Sequence, residues 1–256
     1  MAGVILGKSH MTMKTLTPLL LCAALLSALP TANAQVGEPY YVPMKFTQTV
    51  EPVFPQKVLT LGLLQGEAMV SIQIDAEGVL TDYVVAAYSH PAFAEEAVAA
   101  LKQWKFQPAQ IRGIPVSSTA DFTFAFKSGG VVVDLTVFSV PELIHYRLAP
   151  NAAAFSACTL SELDRIPTPT KIVKPSHTPE QARQNHPSHV TVEFYIDQQG
   201  HVRLPAVSRG TSEANEDLAA AAVAAIEQWQ FEPPLLRGKP ALVIADQEFD
   251  FKLATP

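Results

Sequence analysis

The chain has 256 residues, of which 48% are hydrophobic and 16% are charged, a composition typical of a soluble protein with one or two domains. Its 18 basic and 24 acidic residues give a formal net charge of −6. A negative chain is a poor match for nucleic acid or for an anionic membrane surface, so neither is expected as the main partner.

The first 34 residues have the features of an export signal. Lys14 precedes an apolar run, and Ala32-Asn33-Ala34 forms a small-x-small cleavage site. We therefore predict a mature N-terminus at Gln35, a periplasmic location and a mature net charge of −8, because cleavage removes two lysines and no acid. The alternative is an uncleaved inner-membrane anchor, although the run is shorter than the roughly 20 apolar residues of a membrane span.

Cleavage would also leave Cys158 as the sole cysteine, since Cys22 lies in the leader. No intrachain disulfide is then possible in an exported protein. A buried, unreactive thiol is the expected state of Cys158. Self-association through an exposed Cys158 remains the alternative.

A twelve-residue stretch occurs twice, as AVAALKQWKFQP at residues 97–108 and AVAAIEQWQFEP at residues 222–233. Apolar residues at helical spacing lead into each copy and predict one buried helix face: Phe93, Ala97, Leu101 and Trp104, then Leu218, Ala222, Ile226 and Trp229. Proline cannot continue a helix, so each helix is predicted to end at tryptophan and turn into a strand. The repeated structural motif comprises Trp104, Phe106, Pro108, Trp229, Phe231 and Pro233.

Matching blocks flank both copies. Ile74–Gly78 corresponds to Ile196–Gly200, and Arg112-Gly113 corresponds to Arg237-Gly238. Alternating apolar residues before the first block predict a strand, and Asp and Gly in the block predict a hairpin turn. The upstream blocks are offset by 122 residues and the downstream blocks by 125, which indicates a three-residue insertion before the second helix. Each copy therefore reads as β-β-α-β.

The predicted fold class is α+β, with two tandem modules that each pack a small antiparallel sheet against one helix. The predicted organisation is a signal peptide at 1–34, a lead-in at 35–50, module 1 at 51–127, a connector at 128–167 and module 2 at 168–253. Val131 to Val140 in the connector predict an added strand, and Thr178 to Arg183 predict a helix start.

The order of these motifs resembles the TonB C-terminal domain family. The resemblance rests on the Ile-Asp-x-x-Gly hairpins, the Trp-x-Phe-x-Pro helix ends and the Gly-x-Pro turns at Gly113-Ile114-Pro115 and Gly238-Lys239-Pro240. It implies a non-enzymatic periplasmic module that binds extended segments of envelope proteins by β-strand addition, with outer-membrane transporters and TonB-dependent transport as the implied context. The chain departs from the family pattern in having Phe54-Pro55 and Thr178-Pro179 for the opening Tyr-Pro. It also has a predicted cleavable leader and a short lead-in at 35–50 where the family has a transmembrane anchor and a Pro-rich spacer.

Strand addition needs a sheet edge with unpaired backbone groups. The first two strands of each module close into a hairpin, and the run from Val131 is predicted to cover module 1, with no equivalent after module 2. The closing strand of module 2 is therefore the predicted partner-binding edge: Ala241, Leu242, Val243, Ile244, Ala245, Asp246, Gln247, Glu248 and Phe249.

No motif predicts catalytic residues, a cofactor site or a metal site. Asp75 and Asp197 are explained by their turns, and four histidines near the start of module 2 match no recognised ligand frame: His177, His186, His189 and His201. Three hypotheses stay open: a peptide-binding adaptor, a structural envelope protein whose modules pack edge to edge, and an enzyme on this fold. A retained leader would instead favour an anchored energy transducer, and open edge strands could also self-associate.

Overall fold

The computed structural model describes residues 40–134, 154–176, 188–208 and 216–251, all within one compact unit. The predicted leader, the cleavage site and the helix start from Thr178 to Arg183 lie outside these residues, as do His177 and His186. Among the helices of the described ranges, none is both long and apolar enough to span a membrane.

The described part of the chain before residue 135 contains two helices and nine strands. In chain order these are β1 (Tyr41–Val42), β2 (Lys45–Gln48), α1 (Gln56–Leu59), β3 (Gln65–Ile74), β4 (Leu80–Tyr88), α2 (Pro91–Leu101), β5 (Lys105–Gln107), β6 (Ala109–Ile111), β7 (Ile114–Val116), β8 (Ser118–Lys127) and β9 (Gly130–Asp134). Strand β9 is the start of the run predicted at Val131 to Val140, and residues from 135 onward lie outside the described ranges.

The remaining described ranges contain the connector and the second module. Their elements are β10 (Phe155–Ser156), β11 (Cys158–Thr159), a 3-10 turn (Leu160–Glu162), β12 (Pro169–Lys171), β13 (Ser188–Ile196), β14 (Val202–Val207), α3 (Glu216–Ile226), β15 (Gln230–Phe231), β16 (Leu235–Leu236), β17 (Lys239–Pro240) and β18 (Val243–Phe251). The predicted β-β-α-β order is therefore confirmed in both modules.

The central sheets of the two modules are built alike. The first sheet has the order β10-β4-β3-β8-β9 and the second has the order β11-β18-β13-β14. The triplet β4-β3-β8 corresponds to β14-β13-β18, and the register is the same, since Ala68 pairs with Phe124 and Val190 pairs with Phe249. These pairs preserve the sequence offsets of 122 and 125, so the three additional residues of module 2 lie between β14 and α3.

One face of each sheet packs against its helix, as the apolar spacing predicts. Helix α2 begins at Pro91. Proline is tolerated there because an N–H in the first turn of a helix has no acceptor within the helix. It buries Phe93, Ala97 and Leu101 against alternate residues of β3 and β8. Helix α3 buries Leu218, Ala222 and Ile226 against β13 and β18 in the same way. Each module therefore has its own helix-side core.

The Ile-Asp-x-x-Gly turns are held by their aspartates and touch the Trp-x-Phe-x-Pro strands. Asp75 Oδ1 accepts backbone hydrogen bonds at 3.0 and 2.7 Å, and Asp197 Oδ1 accepts them at 3.0 and 2.8 Å. Gly78 and Gly200 have φ values of +82° and +88°, and an added Cβ would lie 2.5 and 2.0 Å from the carbonyl oxygens of Phe106 and Phe231. Glycine is required there for both conformation and space.

The two modules pack through the sheet faces that are turned away from the helices. A buried cluster joins side chains of both sheets: Met69, Val84, Ala86 and Ala87 with Tyr195, Leu204 and Leu242. Strand β14 contacts β4, β3 and β8, so the strands of the two sheets cross one another. The architecture is helix, sheet, sheet, helix. The edge-to-edge packing considered from the sequence is therefore wrong for the described residues.

Polar contacts fix the relative position of the two sheets. The hydroxyls of Ser71 and Tyr195 form a buried hydrogen bond of 2.8 Å. Burial, reinforced by the charge of Asp121, raises the pKa of Tyr195, so this phenol stays neutral. Arg203 donates to both carboxylate oxygens of Asp82, with its Nε 2.8 Å from Oδ2, and this pairing raises the pKa of Arg203. The two-oxygen contact adds directional specificity to the interface.

The connector joins neighbouring edges of the two sheets. Strand β10 pairs with β4 of the first sheet, and β11, two residues later, pairs in parallel with the start of β18. Between them, the Ala157 N–H donates to the Ala86 carbonyl at 2.6 Å. A segment of six residues, 154–159, therefore holds the sandwich together along one side.

Candidate peptide-binding edge

The edge of the first sheet at β8 is covered by another strand, whereas the edge at β4 is covered only at its end. Strand β9 pairs antiparallel with β8 over five residues, from Gly130 opposite Lys127 to Asp134 opposite Thr123. On the other side, β10 and the adjoining backbone cover the end of β4. The closing strand of module 1 therefore offers no open position at residues 123–127.

The outer edge of β14 in the second sheet is poorly shaped for pairing. Pro205 lies within the strand and has no backbone N–H to donate. Leu204 has a φ of +48°, and the ladder between β13 and β14 shifts register at this point. Proline and bulges are the features that protect edge strands from pairing with another chain.

The second edge of the second sheet belongs to β18, the strand predicted to bind a partner. Its first two residues, Val243 and Ile244, are already paired with β11. Before them, Leu242 accepts a hydrogen bond from the Cys158 N–H at 2.9 Å, and the Ala241 N–H donates to Pro234. The predicted residues 241–244 are thus occupied within the protein. From Ala245 to Asp250, no strand of the described ranges pairs with the outer side of β18.

Backbone groups of alternate residues in β18 point to this open side. The Leu242 carbonyl accepts from Cys158 on the outer side, and β18 pairs with β13 without a register shift. In a strand, both backbone groups of a residue point to one side and those of the next residue point to the other. Asp246, Glu248 and Asp250 therefore direct their N–H and C=O groups outward. Ala245, Gln247 and Phe249 pair with β13.

Cys158 is not available for intermolecular pairing. Its side chain is 4% exposed, and its thiol donates to the Leu242 carbonyl at 3.4 Å. It belongs to the core beneath α3 and forms no disulfide. Self-association through an exposed Cys158 is therefore wrong, and the expectation of a buried thiol is confirmed.

The face of β18 that is turned away from α3 is acidic. Asp246, Glu248 and Asp250 alternate along it, and all three are exposed. His189 on β13 lies opposite Asp250, with its Nδ1 2.5 Å from Asp250 Oδ1 and 3.4 Å from Glu248 Oε1. These three side chains form the one grouping in the described ranges that could hold a metal ion, and ion pairing accounts for their contacts. The sequence shows this alternation of acidic residues, but the prediction of the partner-binding edge did not rest on it.

The opposite face of this edge carries aromatic side chains. Phe249 is half-buried, with its ring centroid 6.0 Å from that of Trp229. Trp229 is also half-buried, although its helical spacing predicted a core position equal to that of Trp104. The difference arises because Phe46 on β2 packs its ring edge-to-face on Trp104, 5.6 Å away, while proline occupies the corresponding position, Pro169, in β12.

Strands β2 and β12 are additions to the predicted β-β-α-β order, and β2 lies before the predicted start of module 1 at residue 51. They pair with the strands that carry Phe106 and Phe231. The indole N–H groups of Trp104 and Trp229 donate to the carbonyls of Val50 and Val173, at 2.8 and 2.7 Å. Sequence comparison missed these strands because backbone pairing does not require similar side chains in the two copies.

Two stacked modules, each with a small antiparallel sheet packed against one helix, define the class of this chain as a two-module α+β protein. The profile of the Gram-negative bacterial TonB protein C-terminal family matches residues 50–128 and 174–253, more than half of the chain. The chain therefore belongs to the TonB C-terminal family, as the sequence motifs predict, with two copies of the domain.

One curated relative and one solved structure are similar to parts of the chain. The chain is 30% identical over 106 residues to protein TonB of Vibrio cholerae serotype O1, an alignment that covers 40% of this chain and 43% of the relative. The match thus spans less than half the length of that protein. The solution structure of the Pseudomonas aeruginosa TonB C-terminal domain is 27% identical and matches over 33% of this chain and 85% of that domain, with a TM-score of 0.29.

Proposed function

We propose that the protein is a non-enzymatic periplasmic adaptor that binds extended peptide segments of envelope or outer-membrane proteins by β-strand addition. The binding edge is the outer side of β18 from Ala245 to Asp250, the open part of the edge predicted from the sequence. The observation that carries the proposal is the contrast between the modules, since β9 fills the equivalent position on β8.

Several features support this assignment. The sheet edge presents backbone donors and acceptors, which supply affinity in strand addition without requiring a particular sequence. The neighbouring pairing with β11 holds the start of β18 in place, so the open segment continues from an ordered strand. The relatives named TonB support the link to transport across the outer membrane, and this link is part of the proposal.

A proline at Glu248 tests the edge directly. Its N–H points outward, so Glu248→Pro removes a donor for a partner strand while leaving the ladder with β13 complete. Glu248→Ala is the matched control, because it removes the same carboxylate and keeps the N–H. We expect the proline variant to lose capture of partners from a periplasmic extract, and the alanine variant to retain most of it.

Amide hydrogen exchange on the captured complex provides the second measurement. Protection should increase at Asp246, Glu248 and Asp250, whose N–H groups point to the open side. Unchanged exchange along the whole of β18 with every captured partner would contradict the proposed edge. Equal capture by the parent and Glu248→Pro would contradict it as well.

The location is tested separately by N-terminal sequencing of the protein from cells. A start at Gln35 supports export and cleavage after Ala34. A protein recovered from the inner membrane with its leader would favour the anchored energy transducer instead, whichever residues bind the partner.

A further inference from the structure

We infer that the open edge of β18 selects an antiparallel peptide strand in which basic residues alternate with apolar ones, an inference that rests on the proposed strand addition. The peptide places basic side chains opposite Glu248 and Asp250 and a β-branched apolar side chain opposite Phe249. From its N-terminus, the five residues that lie opposite Asp250 to Asp246 are basic, apolar, basic, any residue and basic.

The direction of the peptide follows from module 1. There β9 occupies the position that is open in module 2, and it runs antiparallel to β8. The shared register makes Phe124 equivalent to Phe249, because these residues lie opposite Ala68 and Val190, which are themselves equivalent. We therefore place the peptide on β18 in the way that β9 lies on β8. Its N-terminus is then near Asp250, and it runs toward Ala245.

The apolar position follows from Val133. This residue lies opposite Phe124, packs against the helix-side core of module 1 and lines one shallow cleft with Trp104. In module 2, Phe249 and Trp229 are both half-buried, and no side chain of the described residues takes the place of Val133. A valine or isoleucine opposite Phe249 would cover this aromatic surface. β-Branched residues against aromatic rings are favourable cross-strand pairs.

The basic positions follow from a difference between the modules. Thr123 and Ala125 on β8 correspond to Glu248 and Asp250 on β18. Residues directly opposite each other on neighbouring strands project their side chains from the same face, and opposite charges there are stabilising. Within the described residues, the ion-pairing partner of Glu248 and Asp250 is His189, whose side chain is 61% exposed. Lysine or arginine would complete this face.

Two other occupants fit the edge less well. A second copy pairing through β18 would bring acidic rows together, because Asp246, Glu248 and Asp250 all lie on one face, and like charges across a ladder are destabilising. Segments of this chain outside the described ranges do not carry three basic residues at alternate positions. The occupant is therefore a separate protein chain.

The test measures binding of the full mature chain to fluorescently labelled heptapeptides by anisotropy, with EDTA present to keep divalent ions from His189, Glu248 and Asp250. The probe is Thr-Lys-Val-Lys-Val-Lys-Thr. Three comparison peptides are measured in the same way. In the first, threonine replaces every lysine, and in the second, glutamate replaces every lysine. The third has the same composition as the probe with the lysines grouped, Thr-Lys-Lys-Lys-Val-Val-Thr. We expect the alternating lysine peptide to bind most tightly and to protect the amides of Asp246, Glu248 and Asp250 from exchange.

Two double variants separate the edge from the overall negative charge. Glu248→Gln with Asp250→Asn should weaken binding of the lysine peptide by about 2- to 30-fold, the factor for losing two opposite-charge cross-strand pairs. Glu77→Gln with Asp217→Asn removes the same charge from exposed positions elsewhere and should leave binding unchanged. A nitroxide at the peptide N-terminus should broaden the Asp250 amide signal more than that of Ala245.

Each contrary result has a distinct meaning. Equal binding of the grouped peptide, or equal weakening by the remote double variant, would show general charge attraction and overturn the inference. Equal binding of the threonine or glutamate peptide with protection of β18 would overturn the inference and leave strand addition standing. Absence of protection with all four peptides would count against both. A dimer paired through β18 in sedimentation experiments would show that the acidic row does not prevent self-pairing and overturn the assigned occupant.

Discussion

The closing strands β8 and β18 show how two copies of one module diverge at a single position. Both pair with the first strand of their module in the same register, and two aromatic positions that face the helix are shared, Phe124 with Phe249 and Phe126 with Phe251. The chain continues after β8 into β9, which covers the outer edge of that sheet. Over the equivalent residues, the outer side of β18 has no strand partner within the described ranges, and the strand carries acidic residues there. The difference is that module 1 covers the outer side of its closing strand with its own chain, whereas the described residues leave the equivalent side open in module 2.

The tryptophans differ for a related reason. Trp104 is 5% exposed beneath Phe46, and Val133 of β9 lines a cleft with it. Trp229 is half-buried, with proline in the position of Phe46 and no described strand in the position of β9. The same motif thus serves as a closed core in one copy and as the margin of an open surface in the other.

The largest expected effect separates these two tryptophans. Trp104→Ala should cost about 3–5 kcal/mol of unfolding free energy, because it leaves a cavity in a closed core. Trp229→Ala should cost less, since part of the ring is already in water. Urea unfolding followed by circular dichroism measures both. Equal losses would show that the two cores are equivalent despite the difference in exposure.

Proline substitutions compare the two edges with each other. Thr123 corresponds to Glu248, and its N–H faces β9, where the opposite residue is Asp134. Thr123→Pro should therefore destabilise the protein by about 1–3 kcal/mol, because it breaks a ladder hydrogen bond and leaves an acceptor unpaired. Glu248→Pro should leave the unfolding midpoint nearly unchanged. A large loss of stability in Glu248→Pro would mean that its N–H is already bonded within the protein.

The smallest effect concerns the interface between the sheets. Tyr195→Phe should cost about 1 kcal/mol of unfolding free energy at neutral pH, because the buried Ser71 hydroxyl loses its partner.

The same residue should make the unfolding free energy depend on pH. Since burial raises the pKa of Tyr195 above its ordinary value of about 10, the contribution of the neutral phenol to stability is complete below pH 10 and declines as the pH rises above it. The alkaline loss of stability should therefore be smaller in Tyr195→Phe than in the parent. Parallel pH profiles for the two proteins would show that this phenol does not titrate on unfolding.

The sequence was sufficient for the module itself. Helix spacing identified the buried faces at Phe93, Ala97 and Leu101, and strand alternation identified Ala68 to Ile74, because local periodicity shows which side of an element faces a core. The repeat established two copies, and the turn residues Asp75 and Gly78 were assigned correctly, since their geometry depends on nearby backbone groups. These features need only short-range interactions.

Contacts between distant residues were decided only by the tertiary structure. Nothing in the alternation of Met69, Tyr195 and Leu242 shows that the outer faces of the two sheets bury each other, since a half-buried strand has the same pattern whatever covers it. The pairing of β11 with β18 depends on backbone groups, which are the same in every residue. The sequence therefore determined the two modules and predicted that the closing strand of module 2 lies at a sheet edge. The tertiary structure decided which part of that strand stays open, because edges are covered by segments far away in the chain.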